Sequence, residues 1–168
     1  MSITTDLIIR PMTGADAADV LRIFEEGMRT GMSSLETVVP DWPGWDASHL
    51  KKCRLVGIAD GKFAGWAALT PVSGRCVYGG VAEESVYVGE SFRGVGIGVQ
   101  LLNALIDASE KEGFWTLQAG IFAENSASIR AHEKAGFRIV GTREKLGRRN
   151  GEWKDIVLME RRSGKVGV

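Results

Sequence analysis

Three glycines and one arginine fall within the run Arg93-Gly94-Val95-Gly96-Ile97-Gly98, at the join between two segments of different hydrophobic period. Upstream, Ser85-Val86-Tyr87-Val88 is rich in β-branched and aromatic residues and predicts a strand. Downstream, Gln100-Leu101-Leu102-Asn103-Ala104-Leu105-Ile106 carries apolar residues at helical spacing. The glycines therefore occupy a strand-to-helix turn. Lacking a Cβ, they let successive backbone N–H groups approach a ligand, and the first turn of a helix adds unpaired N–H donors with a partial positive charge. A diphosphate is the natural guest of such a turn.

Spacing separates the kinds of phosphate loop. A Walker loop needs Gly-x-x-x-x-Gly-Lys followed by Ser or Thr, and the chain contains no such string. A dinucleotide fingerprint needs Gly-x-Gly-x-x-Gly, but counting from Gly94 its last position is Val99 and counting from Gly96 it is Leu101. What remains is Arg-x-x-Gly-x-Gly, met by Arg93, Gly96 and Gly98. On its own this hexamer is equally compatible with a glycine-rich turn that holds no ligand.

At 168 residues and 44% hydrophobic content, the chain suits one globular domain spanning residues 1–168. Lysine plus arginine balances aspartate plus glutamate at 21 each, so no global field recruits nucleic acid or an anionic membrane, and a small-molecule partner is expected. Basic residues gather between Arg143 and Lys165, which reads first as a solvated edge. Met1–Arg10 has no long apolar core and no later stretch approaches the about 18 apolar residues of a membrane span, so a cytoplasmic protein is expected. Cys53 and Cys76 lack Cys-x-x-Cys spacing and are expected to be free thiols. His49 and His132 stand far apart without a ligand cluster, so no metal site is expected.

Along the chain, Leu7–Arg10 predicts a strand, and Thr13-Gly14-Ala15-Asp16 opens a helix running to about Gly27. Residues 30–45 read as loop and Asp46–Cys53 as a short helix. Leu55–Ala59 and Lys62–Thr70 read as a strand pair turning at Asp60-Gly61, followed by a strand over residues 82–88. The helix after the glycine loop presents Ile97, Leu101, Leu105 and Ala108 on one face and ends near Gly113. Trp115–Ile121 is then a strand, Ser126–Ala135 a helix closed by Gly136, and Phe137–Val140 and Trp153–Met159 the last strands. Strands at both ends around one strand-helix-strand-helix unit predict an α/β fold with a mixed sheet flanked by helices.

Four further segments follow in order: Ala82-Glu83-Glu84-Ser85-Val86-Tyr87-Val88, Asn125-Ser126-Ala127-Ser128, His132-Glu133-Lys134-Ala135-Gly136-Phe137 and Gly151-Glu152-Trp153-Lys154-Asp155. With the Arg93–Gly98 loop and Leu35-Glu36-Thr37, they resemble the phosphinothricin and methionine sulfoximine N-acetyltransferase branch of the GNAT superfamily over nearly the whole chain. Leu35 stands where that branch often has an aromatic residue, and Val95 where its loop often has a lysine. The resemblance implies the GNAT fold, with a mostly antiparallel central sheet and an acetyl-CoA loop between a central strand and the next helix. It also implies a homodimer.

The same resemblance implies the site. Acetyl-CoA would be held by Val86, Tyr87 and Val88 through their main chain, by Arg93, Gly94, Val95, Gly96, Ile97, Gly98 and Val99 at the diphosphate, and by Asn125 and Ser128. A free strand edge can take an extended ligand as if it were another strand, and its N–H groups can polarise a thioester carbonyl. Glu83 takes the position of the general base that removes the proton from the ammonium. Strand alternation puts Glu83 and Glu84 on opposite faces, so only one is expected to face the substrate. His132 stands where relatives often have a tyrosine acid, and a histidine can protonate a thiolate near neutral pH; a structural, hydrogen-bonded histidine stays equally open. Asn125 also suits a helix cap. Arg75 can clamp a substrate carboxylate, with Tyr78 and Glu36 as pocket-wall candidates; without the resemblance Arg75 is a surface arginine. The expected activity is acetyl transfer from acetyl-CoA to the α-amine of a small amino acid analogue, in a ternary complex and without metal. A GNAT enzyme for another amine, or a non-catalytic acyl-CoA sensor, stays open.

Overall fold

The computed structural model describes residues 6–168; the first half of the Met1–Arg10 segment, read above for a leader, lies outside the described residues. One seven-stranded sheet organises the chain, in the spatial order β1-β2-β3-β4-β5-β7-β6. Its strands are β1 (Leu7–Pro11), β2 (Leu55–Ala59), β3 (Lys62–Pro71), β4 (Val81–Val88), β5 (Thr116–Phe122), β6 (Arg138–Arg149) and β7 (Glu152–Arg162). The helices are α1 (Ala17–Arg29), α2 (Trp42–Ser48), α3 (Ile97–Lys111) and α4 (Ser126–Lys134). Every neighbouring pair is antiparallel except β4 and β5. The expected α/β fold, with a mixed, mostly antiparallel sheet and the glycine loop between a central strand and the next helix, is the fold observed.

Residue alternation along β3 explains the two-sided core. Ala67 and Leu69 pack with Ala82 and with Ile97, Leu101 and Leu105 of α3 on one face. Trp66 and Ala68 pack with Val20, Ile23 and Phe24 of α1 and Trp45 of α2 on the other. Inside this second cluster the Trp66 indole N–H donates to the Val20 carbonyl at 3.1 Å, so the aromatic ring is buried without an orphaned donor. On α3 the buried face is Ile97, Leu101, Leu102, Leu105, Ile106 and Ser109. Ala108 is only half-buried, and Ser109 takes the last-turn core position by donating its hydroxyl to the Ile106 carbonyl.

Two expectations need correction. The second helix is Trp42–Ser48 rather than Asp46–Cys53. Asp41 caps it by accepting from the Gly44 N–H at 2.9 Å, Pro43 suits the first turn, and His49 in an extended conformation ends it. Arg54 then collects the carbonyls of Asp46, His49 and Leu50. The last strands are also far longer than Phe137–Val140 and Trp153–Met159. They form a hairpin that turns at Asn150-Gly151, both at positive φ, with register shifts at Ile139/Gly141 and Arg143/Gly147.

The feature that positions the site is a split in the sheet. β4 and β5 pair only over Val81–Glu83 and Thr116–Gln118. Beyond Glu83 the two parallel strands part company, and the β5-facing edge of β4 from Glu84 to Val88 has no strand partner. The split leaves backbone N–H and C=O groups facing a cleft in the middle of the sheet.

Candidate active site

Three adjoining cavities occupy this split. The first, of about 420 Å³, runs along the glycine loop. It is lined by Val86, Tyr87 and Val88 of β4, by Arg93, Gly94, Gly96, Ile97, Gly98 and Val99, and by Asn125 and Ser128 at the start of α4. Of the residues expected to hold a coenzyme, Val95 alone does not line it; its side chain is turned out and exposed. Gly94 and Gly96 sit at φ +80° and +88°, where an L side chain is strained. Gly96 is the N-cap of α3 and supplies no side-chain acceptor, so the first-turn N–H groups keep their donors for a ligand. Arg93 donates Nε–H to the Val88 carbonyl at 3.2 Å, which holds its exposed guanidinium beside the loop. A diphosphate-bearing coenzyme fits this donor set.

The second cavity, of about 480 Å³, lies on the α1 and α2 side. Glu36, Glu83, Trp45, His49, Thr70 and Tyr87 are among the residues that line it. An aromatic chain backs it: Tyr87 stacks on Trp66 at 4.9 Å between centroids, Trp66 meets Trp45 edge-on at 5.3 Å, and Trp45 stacks on His49 at 3.9 Å. Burial pushes the Tyr87 hydroxyl up, and the charges of Glu36 and Glu84 push it further, so it is a neutral donor; it donates to the Ser33 carbonyl at 3.3 Å. Burial lowers His49 below its ordinary value, against the bond from its ring to the Trp45 carbonyl at 2.7 Å. A carbonyl only accepts, so Nδ1 carries the proton and the neutral ring keeps its lone pair on Nε2.

A third cavity, of about 170 Å³, joins the other two. It shares Val86, Tyr87, Asn125, Ser128 and His132 with the glycine-loop cavity, and Glu84, Ser85, Tyr87 and Gly120 with the cavity on the α1 side. Glu83 lines the α1-side cavity, with its Oε1 accepting from the Gln118 amide at 3.2 Å. Glu84 also reaches this cavity, although alternation puts it on the other face of β4, because the open split lets the space pass around the strand edge. The Glu84 carboxylate nonetheless turns to His132 on α4, away from the side that Glu83 faces, in keeping with strand alternation.

His132 is buried and doubly engaged. Its Nδ1–H donates to the Ser128 carbonyl at 2.7 Å, and its Nε2 meets the buried Glu84 carboxylate at 2.5 Å. Burial alone would lower its pKa, but the hydrogen bond and charge of Glu84 outweigh burial and leave it raised. The contact ties α4 to β4 at the junction of the cavities. Asn125 caps α4 by accepting from the Ser128 N–H at 3.2 Å, and its amide donates to the Met32 carbonyl at 3.4 Å.

Two expected substrate residues are not brought into the cavity. Arg75 caps and Tyr78 ends the short turn Cys76–Tyr78, where the guanidinium lies 5.6 Å from the Tyr78 ring centroid in an exposed cation–π pair. The extended backbone at Arg75 directs this turn along the surface instead. Glu84 and His49 were not among the expected site residues. Glu84 had a sequence signal, as the neighbour of Glu83 on a strand, but its partner His132 is far away in the chain. His49 had none beyond its proximity to tryptophans. Among the described residues, no group of three or more His, Cys, Asp or Glu side chains is placed to hold a metal ion.

Residues 19–137 match the acetyltransferase (GNAT) family. The chain is 38% identical over 167 residues to the phosphinothricin N-acetyltransferase of Streptomyces coelicolor, covering 94% of this chain and 97% of that one. It is 42% identical over 81 residues to the L-methionine sulfoximine/L-methionine sulfone acetyltransferase of Pseudomonas aeruginosa, a match that takes in 48% of this chain and 47% of that relative, about half the length of each. The crystal structure of a GNAT superfamily phosphinothricin acetyltransferase from Sinorhizobium meliloti in complex with acetyl-CoA is similar with a TM-score of 0.86 at 25% identity, covering 99% of this chain and 91% of that one.

Proposed function

The chain belongs to the acetyltransferase (GNAT) family, and from that premise we propose that it is an acetyl-CoA-dependent N-acetyltransferase acting on the α-amine of a small amino acid analogue, with phosphinothricin, methionine sulfoximine and methionine sulfone as its leading acceptors. The observation that carries this is the junction: a cavity suited to a diphosphate coenzyme and a separate polar and aromatic cavity meet where Glu84, Tyr87 and His132 line the wall.

Acetyl-CoA would supply the acetyl group as a thioester. Arg93 and the N–H groups around Gly94–Val99 would hold its diphosphate, and the unpaired edge of β4 would align its extended arm, with Asn125 and Ser128 on the opposite wall. Glu83 takes the proton of the acceptor ammonium, directly or through one water, which frees the nitrogen lone pair; Gln118 orients the carboxylate through Oε1. His132 has both ring nitrogens engaged, Nδ1–H by the Ser128 carbonyl and Nε2 by Glu84, so it holds the junction together, and the departing thiolate takes its proton from water in the open cleft. Glu36 lines the acceptor cavity as part of its polar wall. We extend the same resemblance to a homodimer of one-domain chains, which light scattering tests.

A thiol-release assay tests the proposal. Purified protein with acetyl-CoA should release free thiol with phosphinothricin, methionine sulfoximine or methionine sulfone, and not with polyamines or peptide N-termini. Turnover confined to those other amines would move the acceptor class, and tight acetyl-CoA binding without thiol release on any amine would replace the enzyme with a sensor.

A further inference from the structure

The acceptor cavity is closed on one side by the segment that follows α1, which contributes Ser33, Ser34 and Glu36 to its lining. A connection of this kind carries few backbone partners of its own, so its place depends on what grips its carbonyls. Four carbonyls in or next to it accept from side chains of three different elements. Tyr87 on β4 donates to the Ser33 carbonyl at 3.3 Å, and Asn125 before α4 donates to the Met32 carbonyl at 3.4 Å. The other two are held by one residue. Arg149, the last residue of β6, donates Nη2–H to the Met28 carbonyl at 2.7 Å and Nη1–H to the Ser34 carbonyl at 3.0 Å. Beside it Leu35 comes so close to β6 that a Cβ on Gly147 would lie 2.5 Å from its Cδ1.

The chemistry suits arginine. Met28 belongs to the last turn of α1, where its carbonyl accepts the closing-turn N–H of Gly31 at 3.1 Å and carries partial negative charge. A planar guanidinium reaches this helix end and Ser34 at once, joining the start of the loop to the stretch that enters the cavity; an ammonium is a point charge without that fork. Arg149 does not itself line the acceptor cavity, so whatever it contributes passes through the loop.

We propose that Arg149 is a positioning residue for the acceptor: by bridging Met28 and Ser34 it fixes the loop that presents Ser33, Ser34 and Glu36, and so sets how tightly the acceptor is bound. This rests on the α1-side cavity being the acceptor site. Arg149→Ala should raise the acceptor KM about tenfold or more, the scale of losing charge-assisted hydrogen bonds. Its kcat at saturating acceptor should stay within about twofold of the parent, and its acetyl-CoA affinity by calorimetry should fall much less than its acceptor affinity, because the loop meets the glycine-loop cavity only at Ser33. Arg149→Lys, which keeps the charge but not the fork, should recover part of the loss. Amide hydrogen exchange over residues 30–36 should quicken in Arg149→Ala and partly slow again in Arg149→Lys. An unchanged acceptor KM with unchanged exchange would overturn the proposal, as would parallel losses of acceptor and acetyl-CoA binding, which mark a general structural role. If the parent protein acetylates no amine, the function proposed above fails by itself, and the exchange comparison still decides whether Arg149 holds the loop.

Discussion

Glu84 and His132 show how much a single pair can carry. They are 48 positions apart, both buried, and joined by one short contact at the wall shared by the cavities. A buried ion pair gains little over an apolar substitute, but removing one member strands the other charge. Glu84→Ala should therefore destabilise the fold by about 3–5 kcal/mol, measured by urea denaturation. The pH dependence has a definite sign. The folded His132 pKa lies above 6.5, so its contribution is complete below that value and is lost as pH rises through the raised folded pKa. In Glu84→Gln the charge of Glu84 is gone and burial, the largest influence on the ring, outweighs the Ser128 carbonyl bond that still raises it, so the folded pKa should fall below the ordinary value and the slope reverse, with stability lost as pH falls. Urea midpoints from about pH 5 to about pH 9 for both proteins check this. No local pattern marks such a pair in the sequence, because the contact exists only once β4 and α4 are packed together. Glu83 is different: its strand signal serves Glu84 equally well, and only the resemblance singles it out as the base; it lines the α1-side cavity.

Among the elements, the ones that can be read from sequence are those whose local chemistry and burial agree. The glycine loop is one, since Gly94 and Gly96 adopt the positive φ that glycine tolerates and the flanking segments keep their periods. Gly96→Ala should cost about 1–2 kcal/mol of stability and weaken acetyl-CoA binding, because it strains the N-cap of α3 where the donors converge. Calorimetry on the folded variant reads the affinity. The hairpin of β6 and β7 is the opposite case. Most of β6 is exposed, so Thr142–Arg149 lacks the alternation that marks a strand, and only Asn150-Gly151 signals the turn. The second helix likewise carried its own signal in Asp41 and Pro43, but lies in a tryptophan-rich stretch whose apolar residues show no helical stripe. Asp41→Ala should destabilise by about 1 kcal/mol through the lost cap, visible as a small drop in urea midpoint.

At the scale of the whole molecule, the sheet makes the site by failing to stay closed. Antiparallel pairing holds β1 to β4 on one side and β5 to β6 on the other, and the brief parallel contact at Val81–Glu83 is the hinge of the cleft. The glycine-loop and α1-side cavities sit on different sides of the open strand edge and meet between them, the arrangement that the proposed direct transfer needs. A ligand that binds only the folded state adds stability, about 2.7 kcal/mol at a hundredfold excess over its Kd. Saturating acetyl-CoA should accordingly raise Tm by several degrees, and this rise should shrink in Gly96→Ala.

The proposed role of Glu83 is to remove the acceptor proton at a site separate from the one that holds the coenzyme. It is tested most directly by steady-state turnover of Glu83→Gln near neutral pH, with acetyl-CoA affinity measured on the same preparation. The expected result is a fall in kcat of about 100-fold or more with acetyl-CoA affinity unchanged. Turnover equal to that of the parent protein would contradict the assignment of Glu83 as the base.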